Sequence, residues 1–237
     1  MKFFKSLTTL VVLIILSSCS EETPNSGRIS LTARNSSNSV AAKSTVNQQV
    51  SIDQVKLSVS NFELELDSQI SDNQNNNWDD NGTFDSQDEV ELKGPFVLNL
   101  SSGDVNVLAT EVPNATFEEI EFQFEVNQDQ NSEMFNKSIE ISGTLNSVPF
   151  VFWHNFEDKV DIDFEDKQKD IVINNGLNSL VLNFDLSVLF EGEDLSLITD
   201  TNQDGKIEIS PTDADGNNVL ANKLKDKIKM LVHLLND

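Results

Sequence analysis

The chain has 237 residues, with 16 Lys and Arg against 40 Asp and Glu, for a formal net charge of −24. That balance excludes a nucleic-acid partner, whose phosphates need basic contacts, and it excludes charge-driven docking on anionic lipid. One cysteine, Cys19, and two histidines, His154 and His233, are too few soft ligands for a zinc or copper centre, so any bound metal is expected to be a hard cation held by oxygen.

The N-terminus carries Lys2 and Lys5, then an apolar run from Leu10 to Leu16 that is too short for a stable span. Leu16-Ser17-Ser18-Cys19 resembles the lipobox that bacterial lipoprotein signal peptidase cuts just before cysteine. The resemblance implies that residues 1–18 are a removable signal peptide and that the mature chain begins at a lipidated Cys19, attached to the membrane through that lipid. Each buried methylene of such an anchor contributes about 0.8 kcal/mol, so two or three chains hold it permanently. Cleavage removes Lys2 and Lys5 and takes the net charge from −24 to −26. Ser20-Glu21-Glu22 resembles the signal that sends Bacteroidota-type lipoproteins to the outer face of the cell, which implies surface display at the outer membrane. Residues 19–27 read as a polar tether.

From Arg28 the pattern is that of strands. Arg28 to Ala33 forms a first short one, and residues 34–48 read as a loop. Val55, Leu57 and Val59 share one parity while Phe62, Leu64 and Leu66 share the other, so a β-bulge at Ser60-Asn61 is expected inside one long strand. Residues 67–88 are an acidic, amide-rich loop. Val90 to Leu100 and Val105 to Thr110 are expected strands joined at Ser101-Ser102-Gly103-Asp104. Ile120, Phe122, Phe124 and Val126 alternate with Glu119, Glu121, Gln123 and Glu125, which places one face in a core and the other in water. Segments around Ile139–Leu145, Val148–Phe152, Val160–Phe164 and Ile171–Ile173 continue the series. Asn174-Asn175-Gly176 predicts a hairpin turn into a strand over Leu180–Val188. Leu220, Leu224, Ile228, Leu231 and Leu235 form one helical stripe, predicting an amphipathic helix over 218–235. Lys223, Lys225, Lys227 and Lys229 crowd that helix, and we expect it to dock on the acidic body. The fold class is all-β, an antiparallel β-sandwich of Ig-like or Greek-key type with one C-terminal α-helix, in a single domain over 28–237.

Leu92-Lys93-Gly94-Pro95-Phe96-Val97-Leu98-Asn99-Leu100 is similar to a strand pattern of the lipoprotein family called domain of unknown function 4382. Pro113-Asn114-Ala115-Thr116-Phe117-Glu118-Glu119-Ile120 is similar to its later turn and strand, with Phe117 where that family usually has Tyr. The resemblance covers about residues 28–190. It implies an exported β-sandwich lipoprotein and assigns no activity.

Asp200-Thr201-Asn202-Gln203-Asp204-Gly205-Lys206-Ile207-Glu208 resembles the first nine positions of an EF-hand or dockerin-type calcium loop. Asp200, Asn202 and Asp204 offer side-chain oxygens at alternate positions, Lys206 its carbonyl and Glu208 a ninth-position ligand. Pro211 stands where the bidentate twelfth-position glutamate belongs, so Asp213 or Asp215 must complete the shell. The expectation is structural Ca²⁺ bound with a Kd of about 10⁻⁴ to 10⁻³ M, against an Asx-rich turn with no metal.

Trp78, Asp79 and Asp80 in the 67–88 loop are a candidate ligand site, since an exposed Trp beside acids and amides suits a sugar, against a solvated loop with Trp78 folded back. Trp153-His154-Asn155 reads as packing. No nucleophile triad or phosphate loop stands out, and acid pairs such as Asp161 and Asp163 follow from composition alone, so no catalytic residues are assigned and the chain is not read as an enzyme. The functional expectation is a non-enzymatic binding or structural module at the outer-membrane surface, with a glycan or protein as its ligand. A pilus or adhesin subunit and a carbohydrate-capturing protein are the alternatives.

Overall fold

The structure is a computed structural model that describes residues 26–36, 42–43, 49–66, 89–163, 170–173 and 176–236. Cys19, the Glu21-Glu22 pair and Trp78, Asp79 and Asp80 lie outside those residues.

The chain order is β1 (Ser26–Asn35), β2 (Ala42–Lys43), β3 (Gln49–Leu66), β4 (Glu89–Leu92), β5 (Phe96–Asn99), β6 (Val105–Pro113), β7 (Thr116–Phe124), β8 (Ile139–Leu145), β9 (Val148–His154), β10 (Lys159–Asp163), β11 (Ile171–Val172), β12 (Leu177–Phe184), β13 (Ile207–Ile209), α1 (Asn218–Met230) and β14 (Val232–Asn236). Short 3₁₀ turns occupy Leu100–Ser102, Leu186–Val188 and Leu195–Leu197. Two sheets face each other. One has four strands in the order β14-β12-β1-β6, and the other has ten, built along β10-β7-β3-β8-β9-β13.

Strand β3 organises the larger sheet. Its register on β7 shifts between Ser60 and Glu63, and Asn61 adopts a positive φ of 49°. The bulge lets Val55, Leu57 and Val59 before it, and Phe62 and Leu64 after it, all reach the core. On β7 the expected alternation holds: Phe117, Ile120, Phe122 and Phe124 are buried, with Glu119, Glu121 and Gln123 on the wetter face. Phe122 stacks on Phe62 at 5.5 Å and meets Phe184 of β12 edge-on at 6.1 Å, so one ring ties both sheets.

The strand expected over Leu180–Val188 ends at Phe184, with Leu186–Val188 in a 3₁₀ turn, and four larger features of the chain differ from the expectations. Val90–Leu100 is two strands rather than one, β4 and β5, both antiparallel to β3 and separated by a cis Gly94–Pro95. Gly94 is required there, because a Cβ would stand 2.8 Å from the Val59 carbonyl oxygen. The segment ending at Gly176 is no hairpin: β11 pairs with β7 while β12 pairs with β1 and β14, so the chain crosses between sheets, and Asn174 and Asn175 themselves lie outside the described residues. Two pairs are parallel, β1 with β12 and β9 with β13, in an otherwise antiparallel sandwich.

The fourth concerns the C-terminus. The helix ends at Met230, not 235, and Val232–Asn236 forms β14 on the edge of β12. Leu-Val-His-Leu-Leu satisfies a helical stripe and a short strand equally well, and the open edge of β12 decides between them. Within α1, Leu220, Ala221, Leu224 and Ile228 are buried as the stripe predicts. The helix packs against β9 and β13. Its basic face docks on acids: Lys223 and Lys227 pair with Glu193 at 3.3 and 2.7 Å, and Lys229 with Asp158 at 3.3 Å.

Gly143 provides a sharp test of the β3–β8 contact. A Cβ there would lie 1.8 Å from the Ser51 carbonyl oxygen, beside the register shift between Ile52 and Gln54. Gly143→Ala is expected to cost about 3 kcal/mol, the upper range for forced overpacking, in a urea unfolding titration. Phe124→Ala, which empties a fully buried ring, is expected to cost about 3–5 kcal/mol in the same titration.

Candidate functional site

The loop from Asp200 follows the 3₁₀ turn at Leu195–Leu197 and leads into β13. It is shaped by its own side chains. Asp200 accepts from the Asp204 N–H at 3.1 Å and, through its other oxygen, from the Gly205 N–H at 2.7 Å. Asn202 Oδ1 accepts from the Asp204 N–H at 3.0 Å, and Asp204 Oδ1 accepts from the Lys206 N–H at 3.0 Å. Gly205 has a φ of +90°, the left-handed conformation that this turn needs. Ile207 and Ile209 then enter the core and pin the loop to β9.

Asp200, Asn202, Asp204 and Lys206 are therefore gathered in one turn, as their spacing predicts. The other three expected ligands are engaged elsewhere. Glu208 reaches Lys206 Nζ at 3.1 Å. Asp213 accepts from the Ser210 and Asn217 N–H groups at 2.8 and 2.9 Å, which closes the chain before α1. Asp215 is buried and accepts three backbone bonds, from Thr201 at 2.8 Å, Asn202 at 3.1 Å and Glu208 at 2.8 Å. Burial pushes the Asp215 carboxyl up, but the Glu208, Asn202 and Thr201 N–H groups outweigh it and hold the pKa below the usual carboxylate range. The donor set fits calcium in part. One turn supplies three side chains with oxygen ligands, whereas the predicted seven-residue shell is not assembled.

A second acidic group was not singled out from the sequence. Among the described residues, Glu119, Glu121 and Asp161 are the only three His, Cys, Asp or Glu side chains whose ligand atoms all lie within 4.8 Å of one another. They are brought together by register: Glu121 of β7 faces Asp161 of β10 on one side and Glu63 of β3 on the other, and Glu119 faces Asp163 and Glu65. Like charges in directly opposed positions repel. Lys159 bonds Glu121 and lies 3.7 Å from Asp161, relieving part of the repulsion. Burial first, and then the charge and hydrogen bond of Glu121, push Glu119 from its ordinary 4.5 up to about 7. Burial and Glu121 likewise raise Asp161. The three carboxylates are a place where a cation could sit or a proton could be shared. The readable signal was the acidic parity of β7 and β10; their pairing was not readable.

His154 is buried at the β9–α1 contact, with its ring edge-on to Phe156 at 5.4 Å and Nε2 3.5 Å from Asn222 Oδ1. Burial holds its pKa below the ordinary value, in keeping with a packing role. No family model, curated protein or solved structure matches this chain.

Two outcomes are expected from these groups. The folded state holds a proton on Glu119 that the unfolded chain releases near 4.5, so this contribution to stability is full below that value and lost as pH rises through about 7. The melting temperature should fall between pH 5 and pH 8, and Glu119→Gln should flatten that slope. Asp215→Asn places an NH₂ against a backbone N–H and should cost about 2 kcal/mol in thermal unfolding, the scale of a buried donor left unpaired.

Proposed function

We propose that this chain is an outer-membrane lipoprotein, displayed at the cell surface, that acts as a non-enzymatic binding or structural module steadied by calcium. The observation that carries this reading is Leu16-Ser17-Ser18-Cys19 after a short apolar run, with Cys19 seven residues before the first strand at Ser26. A lipid on Cys19 would hold the sandwich close to the bilayer. Among the described residues no helix is long and apolar enough to cross a membrane. Cys19→Ser is expected to leave an unprocessed precursor that takes up no labelled fatty acid, and normal labelling of that variant would overturn the reading. Surface display is tested by protease access on intact cells, which should drop when Glu21 and Glu22 are replaced by Ala.

The calcium part of the proposal rests on the oxygen-bearing side chains of Asp200, Asn202 and Asp204 in one turn, with the Lys206 carbonyl proposed as a fourth donor. A ligand that binds only the native state adds RT ln(1 + [L]/Kd), about 1.4 kcal/mol at ten times Kd, which shifts melting by a few degrees. Melting in millimolar calcium should exceed melting in chelator by that amount, and Asp200→Ala with Asp204→Ala should abolish the difference. Equal melting temperatures in calcium and chelator for the wild-type protein would reduce the loop to an Asx turn.

A pilus-type subunit is the second reading, favoured by the position of β1. This N-terminal strand lies between β12 and β6, so its removal would leave a slot flanked by two strands ready for a strand from another subunit. Mass analysis of the mature N-terminus on cells separates the two: a chain beginning at Cys19 supports the lipoprotein reading, and one beginning after Arg34 or Lys43, which removes β1, supports the subunit reading.

A further inference from the structure

The C-terminal unit ties the two sheets together. α1 packs against β9 and β13 of the ten-stranded sheet. One residue later β14 pairs with β12 at the edge of the four-stranded sheet, and the Leu231 carbonyl between them accepts from the Asp185 N–H at 2.8 Å. Ion pairs hold the basic face of α1, where Lys223 and Lys227 meet Glu193 and Lys229 meets Asp158. Its buried side carries Leu220, Ala221, Leu224 and Ile228, and beside them Asn222 meets His154, the last residue of β9.

His154 is 7% exposed, and its two ring nitrogens are treated differently. Nε2 lies 3.5 Å from Asn222 Oδ1. Asn222 is fixed in that sense because its Nδ2 donates to the Asn218 carbonyl at 2.9 Å. Nδ1 is buried and has no hydrogen-bond partner among the described residues. A neutral ring tolerates this arrangement, with Nε2–H donating to Asn222 and Nδ1 left as a bare acceptor. A protonated ring carries a donor on each nitrogen, and its Nδ1–H then has no acceptor in a buried site. The surrounding charges do not compensate. Lys225 of α1 repels an imidazolium, while Asp158 after β9 and Asp226 of α1 attract it. Lys229 lies 3.3 Å from Asp158, however, and Lys225 lies 3.1 Å from Asp226. Burial is the largest of these effects and holds the docked ring below its ordinary pKa.

We propose that α1 is an acid-released clasp: a proton taken up by His154 frees the helix from β9 while the two sheets stay paired. The inference stands apart from the lipoprotein and calcium readings. Undocking α1 gives the ring to water, where it binds a proton at the ordinary value of about 6.5. The docked state is therefore fully favoured above that pH and loses ground as pH falls below it. If the docked ring stays neutral, an open state with a pKa of about 6.5 gains at most about 25-fold in relative population between pH 7 and pH 5. The pairs to Glu193 persist across this range, because the hydrogen bond from Lys227 holds that carboxyl below its ordinary value. Glu119 acts in the opposite direction and adds stability as pH falls through about 7. Melting of the whole chain mixes the two effects, so a site-resolved measurement is needed.

Native-state hydrogen exchange on the full chain at pH 7 and pH 5, corrected for the intrinsic pH dependence of exchange, supplies it. The Leu224 and Ile228 amides of α1 should lose protection several-fold at pH 5, while the Leu57 and Val59 amides of β3 should keep theirs. His154→Gln, which stays neutral at every pH, should abolish the loss in α1. An NMR titration of the wild-type chain needs no variant: the imidazole in contact with Phe156 should titrate below its ordinary 6.5. Equal protection of α1 at the two pH values overturns the proposal. So does a loss shared equally by α1 and β3, which would report global unfolding, or a ring that titrates at or above 6.5. A loss in α1 that persists in His154→Gln assigns the release to another group and overturns it as well.

Discussion

Everything in the larger sheet depends on the continuity of β3. This one strand of 18 residues pairs with β2, β4, β5, β7 and β8, so five other strands take their register from it. A strand of that length without a bulge would turn half its apolar side chains to water, because the side-chain period is two and the apolar parity changes in the middle. The positive φ of Asn61 and the shift before Glu63 solve that problem in one step. Gly94 and Gly143 are the matching requirements on the neighbours, since each lies where a side chain would strike the β3 backbone.

The second constraint is charge. A chain with 40 acids and 16 bases must spread or pair its carboxylates, and the structure does so unevenly. Glu193 is held between Lys223 and Lys227 of α1, and those two hydrogen-bonded lysines hold its pKa low. Asp213 and Asp215 accept backbone N–H groups in place of cations, which turns two acids into the staples that shape the approach to α1. On the outer face of β3, β7 and β10 the opposed carboxylates repel beyond what Lys159 offsets, and burial and Glu121 push the Glu119 carboxyl up to about 7.

Much of this was legible in the residues. The parity of Val55–Val59 against Phe62–Leu66 located the bulge, and the Ile120-Phe122-Phe124 alternation gave both the strand and its buried face. Asp200, Asn202 and Asp204 share one turn. What stayed hidden depends on partners distant in sequence. Asn174-Asn175-Gly176 has the chemistry of a hairpin, but which sheet each flanking strand joins is decided by β7 and β1. Val232–Asn236 continues a helical stripe until the edge of β12 claims it. Asp213 and Asp215 have the composition of calcium ligands, and only the fold shows that their oxygens face the N–H groups of Ser210, Asn217, Thr201, Asn202 and Glu208. Glu119, Glu121 and Asp161 were recognisable as wet-face acids, while their convergence needed the β7–β10 register.

The central claim is that β3, through its bulge, makes the two halves of the larger sheet one cooperative unit. Native-state hydrogen exchange measures this directly. The account predicts that amides on both sides of the bulge, Leu57 and Val59 before it and Phe62 and Leu64 after it, exchange only by global unfolding, with one common free energy that denaturant lowers with one slope. Amides after the bulge that open at a distinctly lower free energy than those before it would contradict the account, because they would show that β3 joins two independent units.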